Sequence, residues 1–318
     1  MKTKILVALA LVTFASVPAV RATQAGATHY ISGLQSDFST LVPMMPGLYL
    51  GNLYLNYNDA TISPGKSLPF GRIQAAGATV NLQAEVPGAI YSYPFDFFGG
   101  RLASGAFVPF TWVDVKASAT IDLGGPHNIT REDRAFGVGD IELLPIMMGW
   151  TNGDFSIDGM FNLWLPTGKY STTTLANTGL GYWTFEPMVA ASWLSHKIGT
   201  EVTVYSAVDF NTKNDDADYQ SGDLFHVDGT VAQHLPLFGG FASVGATAFY
   251  MKQITGDSGS GAKLGGFMLK SYGVGPTISY VGHIGSHLLV MDGSWLPQTH
   301  TDNTTKGDYF WGKLIISF

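Results

Sequence analysis

The stretch "YWTFEPMVAASW" (residues 182–193) alternates between two kinds of side chain and is framed by aromatic residues. One parity holds Trp183, Phe185, Pro187, Val189, Ala191 and Trp193, and the other holds Tyr182, Thr184, Glu186, Met188, Ala190 and Ser192. A period of two is typical of a β-strand whose faces meet different environments. At a tilt near 40°, the chain between the two tryptophans spans about 25 Å along a membrane normal, the height of a hydrocarbon band with an aromatic belt at each edge. The stretch therefore predicts a strand that crosses a membrane.

The composition agrees with a chain that has little contact with water over much of its surface. Charged residues make up 13% of the 318 residues, aromatic residues another 13%, and glycine contributes 39 positions. The absence of cysteine excludes disulfides and thiol chemistry. A net charge of −7, with 17 Lys and Arg spread over the chain, argues against nucleic acid as a partner.

The first 27 residues have the pattern of a secretory signal peptide. Lys2 and Lys4 precede an apolar run over residues 5–12, and small residues then allow cleavage after Ala22 or Ala27. The apolar run is shorter than the ~20 residues of a membrane anchor, which is the alternative interpretation. Beyond residue 22 no apolar stretch reaches the ~18 residues of a transmembrane helix, so any membrane crossing must use strands.

The alternating pattern recurs along residues 47–318 and predicts about twelve strands. An even number of antiparallel strands is what a closed up-and-down barrel requires. Short turns, including Asn152-Gly153, alternate with long polar loops such as residues 211–223 and 255–263. A secreted β-sandwich or propeller is the alternative, but it would carry more charge on its outer face. The predicted strands cover residues 47–58, 73–95, 101–121, 137–149, 155–167, 181–194, 199–211, 223–235, 240–251, 266–281, 286–298 and 308–318.

Several segments resemble a bacterial outer-membrane family named for the meta-pathway of phenol degradation, the SphA-like family of transporters. The likeness is carried by "PGLY" at residues 46–49, "GVGDIELLPIMMGW" at 137–150, "LWLPTGKY" at 163–170 and "NTGLGYWTFEPMVAASW" at 177–193. The resemblance implies a transmembrane antiparallel β-barrel in the outer membrane of a Gram-negative bacterium. It also implies transport of small, often aromatic or hydrophobic, molecules, and it offers no catalytic residue.

If the apolar parity faces lipid, the other parity lines the lumen and is rich in acids. We expect a weak preference for cations, since carboxylates in a narrow lumen attract them. The charged residues assigned to the lumen are Asp114, Lys116, Asp140, Glu142, Asp158, Glu186, Glu201, Asp209, Asp228 and Lys313.

The same parity also carries soft apolar side chains that suit an aromatic solute. These are Leu144, Ile146, Met148, Met160, Trp164, Met188 and Tyr205. Alternatively, they only fill a narrow barrel. The residues predicted to contact a solute are Glu142, Asp158, Met160, Trp164, Glu186, Met188 and Tyr205.

Both ends of the mature chain have predicted roles. Residues 28–46 form either a plug inside the barrel or a periplasmic segment, and insertion is slightly favoured. The end of the chain, "DYFWGKLIISF" (residues 308–318), predicts a last strand that pairs with residues 47–58 and closes the barrel. Phe310, Leu314, Ile316 and Phe318 on this strand resemble the assembly signal read by the barrel-assembly machinery.

The sequence as a whole predicts a passive channel for small hydrophobic or aromatic molecules, in contact with the lipid bilayer and lipopolysaccharide. No cofactor and no metal site are predicted, because His226 and His234 are separated by eight residues of one strand. A barrel enzyme acting on lipids and a structural or adhesive barrel are the alternatives. The enzyme would need a serine beside a histidine at the outer rim, and no spacing in the sequence places one there.

Overall fold

The structure, a computed structural model, describes residues 26–62, 68–70, 73–75, 77–122, 126–262 and 265–318. Most of the predicted signal peptide lies outside these residues. No helix in the described part of the chain is long and apolar enough to span a membrane. After a 3₁₀ turn at Phe38–Thr40, the strands are β1 (Gly47–Thr61), β2 (Leu68–Phe70), β3 (Ile73–Ala75), β4 (Gly77–Phe97), β5 (Gly100–Phe107), β6 (Phe110–Asp122), β7 (Pro126–Val138), β8 (Ile141–Asn152), β9 (Phe155–Leu165), β10 (Thr184–Leu194), β11 (Thr200–Asn211), β12 (Leu224–Leu237), β13 (Gly240–Gln253), β14 (Lys270–Ile284), β15 (His287–Asp302) and β16 (Lys306–Ser317).

The strands close into an antiparallel barrel of twelve, as predicted. Closure follows from β1, which pairs with β16 on one side and with β4 on the other. Strands β5 and β6 follow one another along a single line, as do β7 and β8, so each pair counts once around the ring. The small β2–β3 hairpin lies outside the ring. Closure pairs both edges of the ring strands, as a sheet in lipid requires, except at β7, which pairs only with β6.

The alternation of burial confirms the predicted faces of most strands. On β10, Glu186 and Met188 are buried inside the barrel, while Phe185 and Val189 point outward. The outward aromatic side chains gather near the two ends of the strands, as in barrels that span a bilayer. Those near the short turns include Phe95, Phe97, Phe98, Trp150, Phe155, Phe238 and Phe241, and those toward the long loops include Trp112, Phe136, Trp183, Phe210, Tyr272, Trp295 and Phe310.

Strand β8 departs from the predicted alternation at Pro145. Its register against β9 slips between Leu143 and Ile146, because one extra residue on β8 forms a bulge. The inward positions beyond the bulge are therefore Met147 and Gly149, and Ile146 faces outward. The predicted lumen positions of Ile146 and Met148 were wrong for this reason.

The hairpin of β6 and β7 extends beyond the barrel wall and reverses the expected faces. The rings of Trp112 and Phe136 stack on its outer surface with centroids 4.8 Å apart. Ion pairs follow on the same surface, between Asp114 and Arg134 at 2.7 Å and between Lys116 and Glu132 at 2.8 Å. The assignment of Asp114 and Lys116 to the lumen was wrong, because this part of the outer face meets water and the apolar residues turn inward.

Strand β4 runs without interruption through Pro87 and Gly88. Its partner changes at this point, from β6 over residues 77–85 to β5 over residues 88–97. The Pro87 carbonyl accepts a hydrogen bond from Val108 N at 2.9 Å, between the ends of β5 and β6. A side chain at Gly88 would collide with the ring of Phe107, which lies across β4 inside the barrel.

Candidate functional site: the barrel lumen

Residues 28–46, named here the lumen segment, run through the inside of the barrel. Near one end, His29 contacts Asp140 and Thr184 at 2.9 and 2.7 Å. Near the other end, the Pro43 carbonyl accepts a hydrogen bond from Ser92 on β4 at 2.9 Å. Because its partners lie on strands all around the ring, the segment occupies the lumen.

Three carboxylates of the barrel wall hold the backbone of the lumen segment. Gly33 N donates to Asp228 on β12 at 2.8 Å, Phe38 N donates to Glu201 on β11 at 2.8 Å, and Val42 N donates to Asp158 on β9 at 2.7 Å. Hydrogen bonds to an ionised acceptor are stronger than those between neutral groups. We name the inward-facing side chains of β8 to β12 the polar wall. Its carboxylates bind the backbone of the segment, in addition to the side-chain contacts of His29 and Tyr30.

Gly33 brings the lumen segment close to the opposite wall. Its φ of +86° lies in the left-handed region, which glycine adopts without steric cost. A Cβ at this position would collide with Leu296 Cδ1 and lie 3.1 Å from Trp311 Nε1. The neighbouring Ser32 carbonyl accepts a hydrogen bond from that indole nitrogen at 2.8 Å. The segment thus requires a residue without a side chain at this point.

All seven residues predicted to contact a solute point into the barrel and are buried. Met160 lies opposite Met188 across β9 and β10, and Trp164 lies opposite Glu142 across β8 and β9. Trp164 Nε1 donates to Glu186 Oε2 at 2.9 Å, and the Trp164 ring stacks on His29. The structure brings these side chains together on the polar wall. The complete set is Glu142, Asp158, Met160, Trp164, Glu186, Met188 and Tyr205.

The inner faces of β1 and β4 form a second, apolar wall. We name as the apolar wall the residues Leu53, Leu55, Tyr57, Val80, Leu82, Ala84, Val86 and Ile90. Ile31, Leu34 and Leu41 of the lumen segment pack against the hydrophobic cluster that contains this wall. Most of the buried inward carboxylates lie on β8 to β12, although the hydrophobic cluster also extends to Met160, Met188 and Tyr205 on those strands.

Two cavities lie beside the apolar wall, one toward each end of the lumen segment. The cavity near the short turns has a volume of about 350 Å³ and is lined mainly by apolar side chains that include Leu53, Ile90 and Met147. The cavity near the long loops has a volume of about 210 Å³, and its lining includes Tyr57 and Leu82. Each exceeds the roughly 150 Å³ that accommodates benzene in an apolar protein cavity. Glu142 and Asp158 border the first cavity, whereas the other predicted contact residues border neither.

The long loops tie to one another over the end of the barrel. Tyr219 donates a hydrogen bond to Asp257, joining the loop of residues 212–223 to that of residues 254–269. Burial raises the pKa of both groups. Asp218 accepts hydrogen bonds from Lys213 and Ser260, which lower the pKa of its carboxyl to about 2. The loop between β15 and β16 is short, because β15 continues to Asp302 and β16 begins at Lys306.

Buried acids outnumber buried lysines on the inner faces of the described strands. Besides the predicted acids, Asp292 faces inward and pairs with Lys313 at 3.4 Å. The buried inward acids near or on these strands are Asp140, Glu142, Asp158, Glu186, Glu201, Asp209, Asp228 and Asp292. One oxygen of Glu142 has no hydrogen-bond partner among the described residues.

No motif in the sequence predicts the histidine contacts in the lumen. His29 belongs to the lumen segment, and its partner Asp140 follows β7 more than a hundred residues later. His226 on β12 contacts Glu186 on β10 and Asp209 on β11. No short motif joins these residues, because each comes from a different element. The inward parity of His226 and Asp228 was the only signal available.

Comparison with solved structures defines the class of protein to which this fold belongs. The chain is similar to an outer membrane channel from Pseudomonas putida F1, with 13% identity, a TM-score of 0.62 and coverage of 91% of this chain and 100% of the channel. A weaker match is the beta domain of the Bordetella autotransporter BrkA, at 11% identity, a TM-score of 0.46 and coverage of 86% and 99%. The protein has the fold of an outer-membrane β-barrel.

The family follows from the sequence of residues 58–314. These residues match the family described as "Putative MetA-pathway of phenol degradation", and the chain belongs to that family. No curated protein sequence matches the chain. The resemblance stated from the sequence is confirmed, and so is the outer-membrane location.

Proposed function

We propose that this barrel is a passive channel for small hydrophobic or aromatic molecules, which cross the lumen beside the apolar wall. The observation that carries the proposal is the pair of apolar cavities on that wall, one toward each end of the lumen segment. Binding sites for small apolar ligands are concave, lined by hydrophobic side chains and completed by a few polar groups. Glu142 and Asp158 supply such polar groups at the border of the larger cavity.

The lumen segment acts in this proposal as a plug that must shift for a solute to pass. Leu34, which lines the larger cavity, packs against the hydrophobic cluster that includes Leu55 and Ala84. Carboxylates of the polar wall bind the backbone of the segment, whereas on the side of β1 and β4 its middle part, including Ile31 and Leu34, packs against apolar side chains. Apolar packing is non-directional, so an apolar solute can replace the contacts that it displaces.

Passage involves diffusion alone, with no chemical step. The buried carboxylates favour cations over anions, so a small ionic current through the barrel should be weakly cation-selective. A neutral phenol or alkane gains favourable contact with the apolar wall, and because it carries no charge it is not repelled by the carboxylates. We therefore expect flux to fall in the order phenol, alkane, sugar for solutes of similar size.

The experiment is solute flux into proteoliposomes that contain the purified barrel. Phenol should enter faster than an equally sized sugar, and Ile90→Ser should slow phenol more than the sugar, because it places a hydroxyl in the larger cavity. The matched control is Ile157→Ser, the same change on the outward face of β9. The joint Met160→Ala and Trp164→Ala variant tests the polar wall in the same assay.

The outcomes separate the channel from its alternatives. Equal exclusion of phenol, alkane and sugar by a correctly folded barrel would contradict the proposal. A lipase assay on the same sample tests the lipid enzyme, and retained adhesion without flux would favour the structural barrel. If Ile90→Ser and Ile157→Ser changed the phenol flux equally, the apolar wall would not lie on the path of the solute.

A further inference from the structure

Three neighbouring strands bring an imidazole and two carboxylates together inside the barrel. Glu186 on β10, Asp209 on β11 and His226 on β12 are each at most 2% exposed. Each can offer one ligand atom such that these atoms lie within 4.8 Å of one another. The cluster lies on the polar wall, apart from the two apolar cavities.

The distances in this cluster differ from those of the chain's other histidine–carboxylate pairs. His226 Nε2 lies 3.3 Å from Asp209 Oδ1 and 3.4 Å from Glu186 Oε1. By contrast, the pairs His29–Asp140, His234–Glu201 and His300–Asp302 have separations of 2.9, 2.7 and 2.9 Å. Charge-assisted hydrogen bonds have lengths of about 2.7–2.9 Å, so the His226 contacts are longer than such bonds.

The same distances match those between ligands around a tetrahedral metal ion. Bonds of about 2.0–2.2 Å at a tetrahedral angle place two ligand atoms about 3.3–3.5 Å apart. One imidazole nitrogen carries at most one proton, and it cannot form two well-directed hydrogen bonds to Glu186 and Asp209 at once. A metal ion in the place of that proton can bind all three groups.

The net negative charge of the cluster also favours binding of a cation. Two carboxylates and one imidazolium leave a net charge of −1, and two carboxylates with a neutral imidazole leave −2. Buried charge is costly unless it is paired or bound to a metal. Glu142 adds a further carboxylate beside Trp164, whose indole donates to Glu186. One Glu142 oxygen has no hydrogen-bond partner in the described part of the chain.

The surroundings of His226 resemble the outer partners of a metal-bound histidine. Its Nδ1 has no hydrogen-bond partner among the described residues, and Asp228 Oδ2 lies 3.9 Å away. Tyr30 of the lumen segment stacks on the imidazole and donates a hydrogen bond to Asp228 at 2.6 Å. Metal-binding histidines commonly direct their second nitrogen toward a carboxylate, which fixes the ring.

We propose that Glu186, Asp209 and His226 form a binding site for a divalent ion of the Zn²⁺ class inside the barrel. Imidazole and carboxylate together suit zinc and other late first-row ions, whereas Ca²⁺ and Mg²⁺ prefer oxygen ligands alone. The three residues supply one nitrogen and two oxygens, and a water molecule completes a tetrahedral set. The site ties three strands together beneath Tyr30.

The test is metal binding by the full chain, produced without a polyhistidine tag and folded with Zn²⁺. After dialysis, wild type should retain about one zinc ion per barrel by mass spectrometry, with three protein ligands and a water as in other sites of this type. His226→Ala and Asp209→Asn should each lower the zinc affinity at least about tenfold, the scale of effects on metal sites. His234→Ala is the matched control, since it removes a buried histidine that pairs with Glu201 at an ordinary hydrogen-bond distance.

A second readout uses Co²⁺ alone, whose visible absorption becomes intense in tetrahedral coordination. Wild type and His234→Ala should show this spectrum, and Asp209→Asn should lose it while retaining the heat-dependent gel migration of a folded barrel. The wild-type spectrum by itself tests for tetrahedral coordination, so this part of the test holds even if a variant does not fold. Zinc retention no higher in wild type than in His226→Ala, or an equal loss in His234→Ala, would overturn the proposal.

Discussion

At the scale of single residues, the position of the lumen segment depends on a glycine. Gly33 has a positive φ, and a Cβ at this position would require Leu296 Cδ1 to shift and would lie close to the Trp311 ring. A left-handed conformation costs a residue with a Cβ about 1–2 kcal/mol, in addition to the collision. The backbone of the segment at Gly33 therefore lies close to Leu296 and Trp311 of the barrel wall.

Replacing Gly33 by alanine should move the lumen segment and raise the conductance of the barrel. The added methyl group needs the space of Leu296 Cδ1, and the backbone donor to Asp228 must shift with it. Conductance in planar bilayers measures the effect. Gly159→Ala is the control, because a Cβ there has no atom within 4 Å. Equal conductance of Gly33→Ala and wild type would contradict the assigned contact.

The inward position of a single residue could be predicted where inward and outward side chains alternate regularly along its strand. It could not be predicted where a bulge interrupts the alternation. Glu186 and Met188 sit on a strand without a bulge, so parity alone placed them in the lumen. Met148 lies beyond the bulge at Pro145, and nothing local in the sequence fixes where an extra residue is accommodated. The His226 cluster depends on the register of three strands, which the pattern of one strand does not determine.

At the scale of elements, the last strand closes the barrel, as the sequence predicted. Phe318 N donates to the Leu48 carbonyl at 2.7 Å, and Leu48 N donates to the Phe318 carbonyl at 3.2 Å. The Phe318 side chain points outward and is 59% exposed in the absence of lipid. The end of the chain is thus part of the seam between β1 and β16, which explains the alternation up to the last residue.

Deletion of Phe318 should reduce assembly of the barrel in the outer membrane without changing the flux of each assembled barrel. The deletion removes both hydrogen bonds at the end of the seam, together with an outward aromatic ring. Heat-dependent gel migration of membrane fractions gives the folded amount. Phe238→Ala is the control, since it removes an aromatic ring that is 86% exposed at a short turn and leaves the seam intact. Normal assembly of the deletion variant would count against this role of the seam.

At the scale of the whole molecule, the barrel could be predicted because every strand that crosses lipid must turn apolar side chains outward and pair both of its edges. Strand number, closure and the aromatic belts all follow from apolar residues facing outward. The rule fails at the β6–β7 extension, where Asp114 and Lys116 meet water on the outer face. It also says nothing about the two walls of the lumen, since both polar and apolar side chains can face inward in a filled barrel.

The division of the lumen gives the molecule its proposed mode of action. Carboxylates on the polar wall hold the lumen segment in place, and the apolar wall provides the cavities on its other side. A solute that passes must displace the segment from the apolar wall. We therefore expect movement of the lumen segment to limit the flux of solute.

A reversible crosslink between the lumen segment and the wall tests this claim most directly. A Cβ at Gly149 on β8 would lie 2.9 Å from Val42 Cβ, within about 1 Å of the separation in a disulfide. The chain contains no other cysteine, so Val42→Cys with Gly149→Cys can form a single defined bond. Each single variant, treated with the same oxidant, is the control. We expect phenol flux of the oxidised double variant to fall to that of protein-free liposomes and to recover on reduction, whereas a fully crosslinked barrel that passes phenol at the wild-type rate would contradict the account.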